Sequence, residues 1–73
     1  MGKLKVLSGI EVCKILEAND FNKIRQKGSH IIMQKRTEDS TITIPIPNHK
    51  EIKIGTLKSI IRQSKLSREL FEN

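Results

Sequence analysis

Six consecutive residues, Arg25-Gln26-Lys27-Gly28-Ser29-His30, bring one imidazole, two cations and one glycine together. Imidazole titrates near neutral pH and can take or give a proton. A guanidinium and an ammonium can neutralise charge that develops on a phosphate. The chemistry to expect from this combination is acid–base work at a phosphodiester. RNA carries its own nucleophile in the 2′-hydroxyl, so a base for that proton and positive charge at the phosphate are the main requirements. His30 is the candidate catalytic residue, and Lys23, Arg25, Lys27, Gly28 and Ser29 are the candidate RNA-binding residues around it. The same stretch also fits a hairpin that touches phosphate and does no chemistry.

Other chemistries find little support. His30 and His49 are the only histidines and Cys13 is the only cysteine. With Glu38, Asp39 and Glu51 they make no ligand spacing for a metal, so neither a metal nor a cofactor is expected. Gly28 stands alone, and Gly55 lacks the phosphate-cradling pattern around it. Ser29 and His30 are strand neighbours, whose side chains diverge, so they do not form a nucleophile–base pair. Cys13 reads as a small core residue. Phe21 and Phe71, the only aromatics, also read as core, which leaves no platform for stacking bases. His49 lies in a proline-flanked loop. It reads first as a turn residue and second as a partner for His30 or for substrate.

The 73 residues make one domain, 1–73. Fourteen Lys and Arg against eight Asp and Glu leave a net charge of +6, which favours polyanionic partners. No apolar run approaches a membrane span, and the N-terminus lacks the apolar segment of a signal peptide. With a single cysteine, a cytoplasmic protein without membrane contact is expected.

The elements that must hold the hexapeptide can be read in order. Ser8 with Glu11 three residues on forms a capping box, and Ile10, Val12, Cys13, Ile15 and Leu16 follow at helical spacing. This predicts a helix over Ser8 to Asn19, ended at Asn19-Asp20. Phe21 to Gln26 and Ser29 to Lys35 read as strands joined by a Lys27-Gly28 turn, with Gly28 at positive φ. In that register Arg25 faces His30 and Ile24 faces Ile31. Ile24, Ile31 and Met33 then share the core face, while Lys23, Arg25, His30 and Ile32 share the other. Thr41-Ile42-Thr43-Ile44-Pro45-Ile46 alternates strictly and predicts a third strand, with Pro45 at a sheet edge. Leu57, Ile60 and Ile61 predict a second helix that begins near Ile54-Gly55-Thr56 and breaks at Ser64-Lys65-Leu66, with Lys58, Arg62 and Lys65 on a basic outer face. Ser67 caps a last short turn before Phe71. Residues 1–7 read as a lead-in, and Lys50 to Lys53 remain unassigned. The expected fold class is α+β: a two-layer α-β-β-β-α sandwich, a three-stranded antiparallel sheet with both helices on one face.

The sequence resembles the HicA family of small toxins from toxin–antitoxin pairs, also called YcfA-like proteins. Arg25-Gln26-Lys27-Gly28-Ser29-His30 is similar to the family's R-x-x-G-S-H signature. Gly55-Thr56-Leu57-Lys58-Ser59-Ile60-Ile61-Arg62-Gln63 is similar to its G-T-L-x-x-I-x-[RK]-Q segment. The opening helix, the Asn19-Asp20-Phe21 corner and Ile44-Pro45-Ile46-Pro47-Asn48-His49 extend the resemblance over nearly the whole chain. The resemblance implies a fold like the double-stranded-RNA-binding domain. It implies an mRNA-cleaving endoribonuclease that works without a metal through His30, held inactive by a HicB-type antitoxin. The alternative is a non-catalytic RNA-binding module of the same fold, and a third reading is a basic protein that binds only an acidic protein partner.

Overall fold

The computed structural model describes residues 2–73. Its elements run α1 (Gly9–Glu17), β1 (Asn22–Lys27), β2 (His30–Arg36), β3 (Thr41–Pro47), α2 (Ile54–Ser64) and a 3₁₀ turn (Arg68–Phe71). The fold is α+β in the expected α-β-β-β-α order, and the antiparallel sheet has strand order β1-β2-β3. Among the described residues no helix is long and apolar enough to cross a membrane.

α1 begins where its capping box demands. The Ser8 hydroxyl accepts from the Glu11 amide at 3.1 Å, and the Glu11 carboxylate accepts from the Ser8 amide at 2.9 Å. The helix closes as a Schellman motif: Asp20 takes a left-handed φ of 73°, and the Phe21 amide donates back to the Leu16 carbonyl at 3.0 Å. α2 ends with Lys65 at φ 60°. The buried Ser64 hydroxyl there donates to the Ile61 carbonyl and accepts from the Leu66 amide.

One core lies between the sheet and the helices. Ile31 and Met33 of β2 and Ile44 and Ile46 of β3 meet Val12, Cys13 and Leu16 of α1 and Leu57 and Ile60 of α2, closed by Phe21 and Phe71. The alternation in β2 and β3 sorts their side chains cleanly, so both helices cover one face and the other carries no layer. Burial pushes the Cys13 thiol above its ordinary pKa, as expected of a core cysteine.

The sequence expectation fails at three places. The hairpin turn is Gly28-Ser29, not Lys27-Gly28, so both strands lie one residue later and Lys27 pairs with His30. Of the two turn residues only Gly28 carries positive φ, 58°, and it sits at the first central position, the pattern of a type II′ hairpin. A bulge between Lys23 and Arg25 then sets Ile24 outside the core, at 47% exposure. Finally, residues 3–5 are no loose lead-in. Leu4 bridges Glu72, the Lys5 amide donates to Phe71 at 2.8 Å, and the Asn73 amide donates to Lys3 at 2.9 Å. Leu7 is buried, and its carbonyl accepts from the Ile52 amide at 2.7 Å, which anchors the 50–53 segment that had no sequence assignment.

Candidate functional site

The tight turn at Gly28-Ser29 makes His30 the first residue of β2, with Lys27 opposite on one side and Pro47 opposite on the other. Residues directly opposite across a ladder share a face. Because the buried Ile31 points to the helices, His30 points to the uncovered face, where its side chain is exposed. Ile32 follows on that face, flanked by Arg25 and Pro45. Lys27, His30, Ile32 and Pro45 line an open depression of about 410 Å³.

The depression combines an apolar floor, a cation and a titratable nitrogen. Ile32 and Pro45 keep water from one side, which strengthens a charge interaction made over them. The Lys27 ammonium is a compact charge suited to a phosphate oxygen. His30 adds an imidazole, a group that can take or give a proton. Proline at positions 45 and 47 stiffens the strand behind it. The turn itself is tied down, since the Ser29 carbonyl accepts from the Asn48 amide at 2.7 Å.

Two expected neighbours have moved. Arg25 stands opposite Ile32, not His30, so Lys27 takes the place beside the imidazole that the sequence expectation gave to Arg25. Lys23 sits in the bulge opposite the buried Met33, and its charge acts on the Cys13 thiol of α1 against burial and Glu17. It therefore lies toward the helix side and leaves the group around His30. Gly28 stands in open space at positive φ, so it shapes the turn without packing against anything.

His49 does not join His30. It lines a separate depression of about 250 Å³ with Pro47, Ile52 and Thr56, and its carbonyl accepts from the Gly9 amide at 2.9 Å. The exposed Lys58 and Arg62 of α2, and Lys65 at its C-cap, lie in the layer on the other side of the sheet. Ile32 and Pro45 were missed as site residues. Their signal was available, since the alternation places both on the face of His30. Among the described residues no group of three His, Cys, Asp or Glu side chains could hold a metal ion.

A family model described as the HicA toxin of bacterial toxin–antitoxin matches residues 9–66. Neither the curated proteins nor the solved structures give a match. The matched span runs from the first residue of α1 to just past α2, and so includes the whole sheet and the depression around His30.

Proposed function

The chain belongs to the HicA family of toxins, and from that premise we propose that it is a metal-independent endoribonuclease that cleaves mRNA in the cytoplasm with His30 as its catalytic residue. The observation that carries this reading is the position of His30: exposed on the uncovered sheet face, directly opposite Lys27, above Ile32 and Pro45.

RNA lies along the open face with one phosphate at Lys27 and Arg25. His30 takes the proton of the adjacent 2′-hydroxyl. The 2′-oxygen bonds to phosphorus while the bond from phosphorus to the 5′-oxygen breaks, and the departing oxygen takes a proton from water. The products are a 2′,3′-cyclic phosphate and a 5′-hydroxyl end. Lys27 offsets the charge gained by the phosphoryl oxygens, and Arg25 and the Gly28-Ser29 backbone hold the strand in register. A HicB-type antitoxin would silence the toxin by covering the same face, the one that the fold leaves without a layer. The second reading, a non-catalytic RNA binder, draws on the absence of another imidazole or a carboxylate among the residues lining the depression.

The test compares wild type with His30→Ala, both verified as folded by circular dichroism, on a mixed mRNA pool with a chelator present. Cleavage by the wild type alone supports the reading. Equal RNA binding with no cleavage by either sinks it in favour of the binding module.

A further inference from the structure

A further depression in the described structure is larger than the one at His30. It lies at the opposite end of the sheet, about 520 Å³ in volume, where the end of α1 meets the start of β1 and the end of β2. Glu17, Asp20, Asn22, Ile24, Gln34 and Arg36 line it, beside the buried Phe21. We infer that this depression is a base-reading pocket, which takes a nucleobase of the RNA whose backbone runs past His30. The inference rests on the ribonuclease reading only for the identity of the strand.

Gln34 and Arg36 alternate with buried or inward residues of β2, so they lie on the same face as His30 and Ile32. Asn22 is paired with Gln34 and shares that face. Four residues of strand separate His30 from Gln34, about 13 Å. That distance lies beyond the nucleotide being cut but within reach of a nearby one in the same extended chain.

The lining groups suit a base and not a phosphate. Two carboxylates, Glu17 and Asp20, repel a phosphate but accept from an exocyclic amine. Arg36 can donate two parallel hydrogen bonds to the acceptors of a base edge, and Asn22 can donate and accept at once. Ile24, pushed out of the core by the bulge, gives an apolar surface for the ring. These groups are not spent on one another: the single ion pair among the described residues is Arg68 with Glu72, far along the chain. Gln34 is held in place, since its amide nitrogen donates to the Thr43 hydroxyl at 3.2 Å. A pocket with both carboxylates and a guanidinium selects bases that carry an amino group, and disfavours uracil.

The experiment measures binding of the full chain, in the His30→Ala background so that no RNA is cut, to short single-stranded RNAs of A, C, G or U. Expected is a preference of about tenfold for at least one amino-bearing base over uracil. Asn22→Ala and Arg36→Ala should each reduce that preference severalfold, while Lys27→Ala lowers the affinity for all four alike. Equal affinity for the four RNAs, or a preference that survives Asn22→Ala and Arg36→Ala, overturns the pocket. A preference lost in those variants, in a protein whose wild type cuts no RNA, upholds the pocket and refutes the ribonuclease. His30-dependent cutting without base preference does the reverse.

Discussion

The bare Cα of Gly9 packs directly against the backbone of Pro47. A Cβ at Gly9 would run into the Pro47 carbonyl oxygen and come within 3.0 Å of the Asn48 Cα. This contact joins the first residue of α1 to the last of β3, and Pro47 is also the cross-strand partner of His30. The adjoining hydrogen bonds, Gly9 to the His49 carbonyl and Asn48 to the Ser29 carbonyl, carry the tie on to the hairpin turn.

Gly9→Ala should therefore destabilise the fold by about 1–3 kcal/mol, the usual cost of forcing a methyl into a filled site. Helix propensity alone would favour alanine over glycine, so the sign of the effect is informative. Urea unfolding of both proteins decides it. An unchanged or higher midpoint for Gly9→Ala would mean that the helix and β3 do not meet this closely.

The bulge makes a sharper prediction about the cations. Lys27→Ala should weaken RNA binding and lower the slope of log affinity against log salt concentration by about 1. Lys23→Ala should leave that slope nearly unchanged, because Lys23 is turned toward the helix side. A salt titration in which Lys23→Ala behaves like Lys27→Ala would place both on one face and refute the bulge.

Gly28 separates conformation from space. Nothing lies within 4 Å of where its Cβ would be, yet its φ is 58°. Gly28→Val should cost about 1–2 kcal/mol or more through backbone strain, and D-alanine at this position distinctly less, because a D-residue favours positive φ. Comparable losses in the two variants, measured by chemical denaturation, would point to a steric cause instead.

The capping box predicts a pH dependence. The hydrogen bond from the Ser8 backbone, then that from the Ser8 hydroxyl, and then Lys14 and Lys5 hold the Glu11 carboxyl below its ordinary pKa. A lowered folded-state pKa means that the carboxylate stabilises the fold at neutral pH and that this contribution is lost as pH falls through the folded pKa. Thermal melts of wild type and Glu11→Gln should thus differ at pH 7 and converge in acid. A gap that stays constant down to pH 3 would contradict the assignment.

Local signals were enough for much of this protein. The Ser8–Glu11 box, the stop at Asn19-Asp20, the alternating isoleucines of β3 and the Ser64-Lys65 break each depend on residues a few positions apart, and each is found as read. Together they determine the α-β-β-β-α order and the side of the sheet on which His30 stands, because period-2 alternation in β2 needs no partner. What needed a partner strand was decided by the tertiary structure. The one-residue placement of the Gly28-Ser29 turn, the bulge that turns Lys23 away and exposes Ile24, and the pairing of residues 3–5 with the C-terminus all depend on hydrogen bonds across the sheet or between chain ends. Two neighbouring registers differ little in local propensity. They differ greatly in which side chains are buried, and only the assembled core applies that energy.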